Sequence, residues 1–353
     1  EERVIRAFGE NPVGTTTRMM AAITLPSILL YLSNREDPRW QEIPRWQKDL
    51  FWIVFTDDHI YRIPKPHSAG IMFGSLPERM LEAYESDNPG ALKDLEKSIL
   101  STFVPNMIPT VAAPVIDQFA NRSLFTGAPL IPAAQEKMLP EYQYTEYTTE
   151  LAKAIGQIMG AFPGMRDRSI RDEDTFIGGV ARALTTPILV ENYVRSWTGG
   201  LGQYVLQLAD KALREADVLP DPVKPLDTLS DLPVIKAFVI RYPSASAQSI
   251  QDFYDDYFAS KRLYDTKMML AKEGDLDAFD KVQNIDPMAW DSMAGIRDTI
   301  ADQAKLIRLI YKNPDLTPDD KRQIIDATYG RMIELAKVGN DAMRDLANIL
   351  GEP

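Results

Sequence analysis

Cysteine is absent from this 353-residue chain, and histidine occurs only twice, at His59 and His67. The first absence excludes disulfides, thiolate zinc sites, iron–sulfur clusters and cysteine nucleophiles, and it leaves the redox compartment open. The second removes most histidine-built metal centres. Positive charge is also scarce: 39 Lys and Arg stand against 51 Asp and Glu, a formal net charge of −12. Nucleic acid is held by a basic face, so this balance argues against generic DNA or RNA binding. Long apolar runs are missing too. The longest, Met19 to Leu32, is interrupted by Thr24, Pro26 and Ser27. It falls short of the roughly 20 apolar residues of a spanning helix. A buried helix is its plain reading, and an interfacial membrane segment the other. No signal-peptide pattern opens the chain. Glu1 stands where Met would, inside a helical pattern, so a segment of a longer protein is expected.

What is present suits a globular core of one large or two ordinary domains: 45% of the residues are hydrophobic and 25% charged. The 25 prolines are spread along the chain, so its helices must be interrupted often. Helical punctuation dominates. Ser75-Leu76-Pro77-Glu78 has the form of a capping box, and Asn88-Pro89 opens a pattern carrying Leu92, Leu95, Ile99 and Phe103. Asp286-Pro287 and Thr317-Pro318-Asp319-Asp320 repeat this grammar. The first precedes a stripe of Ile296, Ile300, Ala304, Ile307 and Ile310; the second precedes Ile325, Met332, Leu335 and Ala336. A longer helix is predicted from about Ala247 to Lys272, stopped by Gly274. One stretch departs from the helical rule. Phe51 to Phe55 is aromatic and β-branched, Asp57-Asp58 is a turn signal, and Ile60 to Ile63 follows before Pro64. The fold class expected is therefore mainly α, an irregular multi-helix bundle with a small β-hairpin near residues 51–63. Prolines and aspartates at 217–233 mark a hinge between an α-rich core, 1–216, and a helical region, 234–353.

Candidate chemistry is thin. Thr198-Gly199-Gly200-Leu201-Gly202 invites a phosphate-cradle reading, but no strand pattern precedes it and no Lys-Ser/Thr follows. A tight turn or close helix approach is the simpler use of those glycines. His59 and His67 flank the proline-locked loop with Asp57 and Asp58 nearby, a set from which a two-carboxylate, one-histidine metal site could be drawn, but the adjacent Asp57-Asp58 fit a hairpin turn without a ligand. Asp255-Asp256 and Asp172-Glu173-Asp174 read as solvated faces. Arg39-Trp40, Arg45-Trp46 and Phe51-Trp52 interleave cation and ring, yet Glu36, Asp37, Glu42 and Asp49 cancel the charge. Core packing with snorkelling arginines is the plain account of them, and protein–protein contact the other. No nucleophile constellation is visible. We expect no enzyme activity, no catalytic residues, no metal and no cofactor.

A series of motifs stands in order along the chain. Pro26 to Tyr31 leads into Asn34-Arg35-Glu36-Asp37-Pro38, then Tyr61-Arg62-Ile63-Pro64-Lys65-Pro66, Gly70, Phe73-Gly74 and Leu76-Pro77-Glu78-Arg79. Asn121, Phe125-Thr126-Gly127, Pro140, Tyr142-Gln143-Tyr144 and Thr148-Thr149-Glu150 follow. Pro187 to Tyr193 then runs on through Trp197-Thr198-Gly199-Gly200-Leu201-Gly202. The series resembles the large polyvalent protein-associated domains found in very long phage proteins. The resemblance covers about residues 15–260.

It implies a segment of a tailed-phage internal virion protein, packaged in the particle and delivered with the genome to help DNA cross the host envelope. Its partners would be other ejection or core proteins, the portal and further copies of itself, with a possible contact to the host inner membrane. Its place would be the virion, then the host cell envelope. An accessory non-catalytic domain of a giant virion enzyme, a virion RNA polymerase or a cell-wall hydrolase, is the alternative, and a membrane-active module a third. No family residues of catalysis carry over. The interaction residues expected are Tyr61, Pro64, Lys65, Pro66, Glu78 and Arg79 in one rigid loop and Trp197, Gly199, Gly200 and Gly202 in another.

Overall fold

A computed structural model describes residues 2–86, 117–118, 121, 129–132, 135–145, 147–162, 176–198, 200–220, 223–281 and 287–350. The helix expected after Asn88-Pro89, the Phe125-Thr126-Gly127 and Asp172-Glu173-Asp174 motifs, Gly199 and Asp286 lie outside these residues. The chain forms two compact units. One joins Glu1–Val104 to Lys224–Pro353, and the other is Pro105–Val223. The sequence boundaries cut the chain differently: they hold residues 1–216 together, whereas here the described residues up to Ser86 share a unit with the C-terminal helices.

The first unit begins with α1, Glu2–Glu10, and α2, Pro12–Met19. Asn11 caps α2 by accepting from Gly14 N at 2.9 Å, with Pro12 in the first turn. The helix continues through π-helical turns at Met20–Thr24 into α3, Leu25–Asn34. Pro26 does not break it, because the wider turns stand where the missing amide would have bonded. The same device recurs later: α6, His67–Gly70, passes through π-helical turns at Ile71–Ser75 into α7, Leu76–Ser86, just before Pro77. This corrects the capping box expected at Ser75. The helix starts eight residues earlier, so Ser75 lies inside it and its hydroxyl is used elsewhere.

Between these helices come α4, Pro38–Glu42, capped by Asp37, then α5, Arg45–Leu50, and the predicted hairpin. Strands β1, Phe51–Phe55, and β2, Ile60–Pro64, pair antiparallel with Ile53 opposite Arg62 and Phe55 opposite Ile60. Asp57-Asp58 forms the exposed turn, closed by bonds between Thr56 and His59. Tyr31, Trp40, Ile43, Ile53 and Ile60 make the core beneath the sheet.

The second unit carries α8, Glu150–Ala161, α9, Phe176–Thr185, α10, Pro187–Thr198, and α11, Gly200–Glu215. Gly156 lets α8 pass close to Pro187: a Cβ there would sit 2.8 Å from the proline ring and 2.9 Å from Thr185 O.

The chain then returns to the first unit. A third strand, β3, Val239–Ile240, pairs antiparallel with β2 through Tyr61–Val239 and Ile60–Ile240. Two residues leave no periodicity to read, which is why the sequence shows only a hairpin. Helix α12, Gln248–Glu273, ends at Gly274 with φ +78°, as its glycine stop requires. Then come α13, Leu276–Lys281, α14, Pro287–Lys312, and α15, Pro318–Leu350. The Thr317 hydroxyl accepts from Asp320 N at 3.2 Å at the start of α15. Both predicted stripes face the interior, where Ile300, Ile307, Ile310, Ile325, Met332 and Ala336 surround Phe253 and Tyr257 of α12. The fold is mainly α with one small antiparallel sheet.

The apolar segment near the N-terminus corrects a further expectation. It is neither a buried helix nor too short to span: Pro12–Asn34 runs 23 residues, is long and apolar enough by length and composition to cross a membrane, and only 17% of its most apolar window is buried. Its inward side is largely small or polar, with Thr15, Ile23, Ser27, Tyr31 and Asn34, and its aliphatic side faces out.

Candidate functional site

The Tyr61–Arg79 stretch folds into a strand, a short extended link and a helix, and the link places Lys65 in the interior. Pro64 and Pro66 are exposed, while Lys65 N donates to Leu50 O at 2.9 Å and so fastens the end of the hairpin. The Lys65 side chain turns inward. Its ammonium donates to Glu78 Oε2 at 2.7 Å, to Lys48 O at 2.9 Å and to Ser75 Oγ at 3.1 Å. All three ammonium protons are therefore used. The Ser75 hydroxyl donates in turn to Asp49 O.

Arg79 stands one residue on from Glu78. Its Nε donates to Asp49 Oδ1 at 2.8 Å, its Nη1 to Glu82, and its Nη2 to Arg45 O at 3.1 Å. Lys65, Asp49, Glu78 and Arg79 are all buried. Burial pushes the Lys65 ammonium down and the Glu78 carboxyl up, against the opposite pull of their ion pair. Burial also acts to lower Arg79, but the Asp49 and Glu82 carboxylates outweigh it and hold the guanidinium charged.

Lys48 lies beside this cluster with its ammonium 4.6 Å from the centre of the Trp40 ring. Burial, helped by the positive charge of Arg79, pulls its pKa down to about 7.

A second set of buried polar contacts ties the early helices to α12. Glu42, 2% exposed, accepts from Ser249 Oγ at 2.6 Å and meets Lys337 at 3.2 Å. Arg45 N donates to Gln248 Oε1 at 2.7 Å, and the Arg45 guanidinium spans both oxygens of Asp252. Arg62 donates from β2 to Ala237 O at 2.8 Å and Lys236 O at 3.0 Å.

In the second unit the motif residues Thr149 and Glu191 meet. Thr149 caps α8, and Glu191 Oε1 of α10 accepts from both its amide and its hydroxyl at 2.7 Å. Asp210 of α11 accepts from Leu151 N at 2.7 Å and pairs with Arg214 at 3.0 Å. Two carboxylates thus face the positive end of one helix.

Trp197, near the end of α10, is 46% exposed and lies 5.9 Å from the Tyr193 ring. Gly200 opens α11, and Gly202 rests on Thr198, where a Cβ would fall 1.8 Å from the hydroxyl oxygen. Glycine at 202 is thus a packing requirement. Tyr61, half-buried on β2, meets the His59 ring edge-to-face, with the ring centres 6.1 Å apart. The structure therefore brings Lys65, Glu78 and Arg79 into one cluster, and places Trp197, Gly200 and Gly202 in the other unit.

Sequence reasoning missed Lys48, Asp49, Glu42 and Asp210. A charged side chain on a short helix looks the same in sequence whether it faces water or a buried partner, and only the adjacency of Lys48 and Asp49 to the hairpin hints otherwise.

One cavity of about 230 Å³ in the first unit is lined by Arg39, Arg241 and Arg322. Each is paired already: Arg39 with Asp37, Arg241 with Asp231 and Asp326, and Arg322 with Asp231. The cavity offers no surplus positive charge to an anion. Among the described residues no group of three or more acidic or histidine side chains is placed to hold a metal ion. The arrangement is one of interlocked charges that fix helices and strands against each other.

These are the marks of a helical domain whose motif residues serve its shape. The profile of the large polyvalent protein associated domain 38 matches residues 37–235. The match spans more than half of the chain, from the cap of α4 to the turn before β3. The chain belongs to this family, and large polyvalent proteins are phage-associated. No curated protein and no solved structure matches it.

Proposed function

We propose that this chain is a structural and interaction segment of a tailed-phage internal virion protein, without catalytic activity of its own. In this reading it is packaged in the particle, in contact with other core proteins, the portal and further copies of itself. It is then delivered with the genome and helps DNA cross the host envelope. Family membership supports the phage setting.

The observation that carries the interaction role is the exposed apolar surface of two helices in the second unit. Tyr193 and Trp197 are exposed four residues apart on α10, and Leu201, Val205 and Leu208 at spacings of four and three on α11. Scattered apolar side chains are ordinary on a surface, but an aromatic pair on one helix and an aliphatic row on the next are the composition of a protein–protein contact. The buried charge clusters support the same reading from the other side. They spend the charged motif residues on rigidity and leave the contacts to apolar groups.

The test is mass spectrometry of particles purified from an infected culture, with a Trp197→Ser/Leu201→Ser variant beside the wild type. We expect the chain in intact particles, and at least a several-fold drop in its copy number for the variant. A chain abundant in the lysate and absent from purified particles overturns the proposal.

A further inference from the structure

We propose that the N-terminal helix Pro12–Asn34 is a docking face for a lipid bilayer, lying in the plane of the membrane surface rather than across it. It goes beyond the reading above and is independent of where the protein is packaged. Three observations carry it.

The first is the inversion of the helix. Its inward side holds Thr15, Ser27 and Asn34 beside Ile23 and Tyr31, while Val13, Leu25 and Leu29 stand 78%, 56% and 58% exposed. The helix spends much of its inward side on hydroxyls and an amide and shows an aliphatic side that no described residue covers.

The second is the fastening of the inward side. Trp52 Nε1 donates to Ser27 Oγ at 2.7 Å, the Thr24 hydroxyl donates to Phe73 O, and Asn34 Nδ2 donates to Ile53 O at 2.7 Å. Gly74 allows this close approach, since a Cβ there would lie 2.8 Å from Ser27 Oγ. The helix sits directly over the Lys65–Glu78 ion pair through Ser27, which also bonds Glu78. Crossing a bilayer would drag those charges into hydrocarbon or tear the helix away from them. Lying flat, it keeps every one of these bonds and wets only its outer face with lipid.

The third observation is charge. Arg18 is the one charged residue between Pro12 and Asn34, and it is exposed beside the stripe, where a long stem lets the guanidinium reach headgroups. The stripe from Val13 to Leu32 extends about 28 Å, at ~1.5 Å per residue. It is long enough to rest along a membrane surface. By length and composition Pro12–Asn34 is apolar enough for hydrocarbon, with a mean hydropathy of 1.2 over its most apolar window. A bilayer takes such a face without a matched counterpart. With a net charge of −12 on the chain, binding should not depend on anionic lipid.

The test uses the whole 353-residue chain and vesicles of phosphatidylcholine in a density-gradient flotation. Wild type should float, and equally well in high salt. A Met20→Gln/Leu25→Gln/Leu29→Gln variant, altered only at exposed positions, should keep its circular dichroism and float roughly tenfold less or worse. Because the chain lacks cysteine, a Leu29→Cys variant takes an environment-sensitive fluorophore at a single place. That probe should brighten and shift to the blue with vesicles, while the same probe at Leu309→Cys on α14 should not. Wild type that stays at the bottom of the gradient overturns the proposal, as does a variant that floats like wild type or a Leu29 probe that is silent. A wild-type dimer that this variant dissociates, without flotation, assigns the face to a second copy and equally overturns it.

Discussion

The first unit holds itself together in two different ways at its two ends. Around the hairpin, stability rests on buried charges: Lys65, Glu78, Arg79 and Asp49 neutralise one another behind the sheet. Around Phe253, three long helices meet mainly through aliphatic and aromatic side chains, with Ile300, Ile333 and Ala336 fully enclosed and the buried Lys321 spent on the Tyr311 carbonyl at the end of α14. Apolar burial is forgiving of direction and scales with area. Buried ion pairs are the reverse, since their attraction survives desolvation only with near-complete hydrogen bonding. The hairpin end therefore depends on each partner being in place, while the helical end depends on volume. This is a difference in kind, and it can be broken experimentally.

The largest effects should come from removing one member of each set. Arg79→Met leaves Asp49 and Glu82 without their cation and should cost about 3–5 kcal/mol. Phe253→Ala opens a cavity in the bundle and should cost a similar ~3–5 kcal/mol. Urea unfolding measures both, and an Arg79→Met protein as stable as wild type would remove the ionic half of the comparison. A sharper test separates the two mechanisms. Lys65→Met alone strands the Glu78 carboxylate, whereas Lys65→Met with Glu78→Leu strands no charge and gives up only the neutral bonds to Lys48 O, Ser75 and Ser27. The double variant should recover at least about 2 kcal/mol of the single variant's loss. No second substitution of that sort should rescue Phe253→Ala.

A pH series distinguishes the ends next. Lys48 is held near pKa 7 in the fold, against an ordinary lysine value of about 10.5. Between those values the unfolded chain carries a proton that the folded chain has released, so folding becomes more favourable as pH rises through that window. Below it the full cost of the buried charge remains. From pH 7 to 9 wild type should therefore gain roughly 2 kcal/mol relative to Lys48→Met, followed by chemical denaturation at each pH. Equal pH profiles for the two proteins would contradict this assignment.

The smallest expected effect lies in the bundle. Gly339→Ala places a Cβ 2.6 Å from the Phe253 ring, so the ring must shift. The helix-propensity gain of about 1 kcal/mol offsets part of an overpacking cost of ~1–3 kcal/mol. A net loss near 1 kcal/mol in thermal unfolding is expected, with no pH dependence.

The helical end was the more legible in sequence, and the comparison explains why. Ile296 to Ile310 and Ile325 to Ala336 repeat at the helical period, and the partner of an apolar stripe need only be another stripe. Gly274 and Thr317 mark helix ends through local geometry alone. The hairpin was legible for the same reason: strand residues and a turn pair stand within fifteen positions.

The ionic cluster was legible only in part. Tyr61 to Arg79 stood out as a motif, and Lys65, Glu78 and Arg79 within it do meet. Their partners Asp49 and Lys48 came from another helix, and nothing in a one-dimensional pattern says which carboxylate a buried lysine finds. Ser75 misled because Ser-x-x-Glu is a local signature, and the helix had already begun at His67. The N-terminal helix misled because apolar composition reports a preference for leaving water without naming the phase that receives it.

The route of the chain has a consequence for its synthesis. Arg62 on β2 holds the carbonyls of Lys236 and Ala237, and the contact to Ala237 spans 175 residues of sequence. At a ribosomal pace of about 5–20 residues per second, roughly 10–35 seconds separate the two sides of that bond. For that interval the outer edge of β2 is an open strand, and Glu42 waits without Ser249 or Lys337. The second unit is made in the gap, so its helices fold while the first unit is still half-built. A newborn chain therefore passes through a state with one finished body and one unclosed sheet edge, and its vulnerability to mispairing is set by the time the ribosome takes to reach Val239.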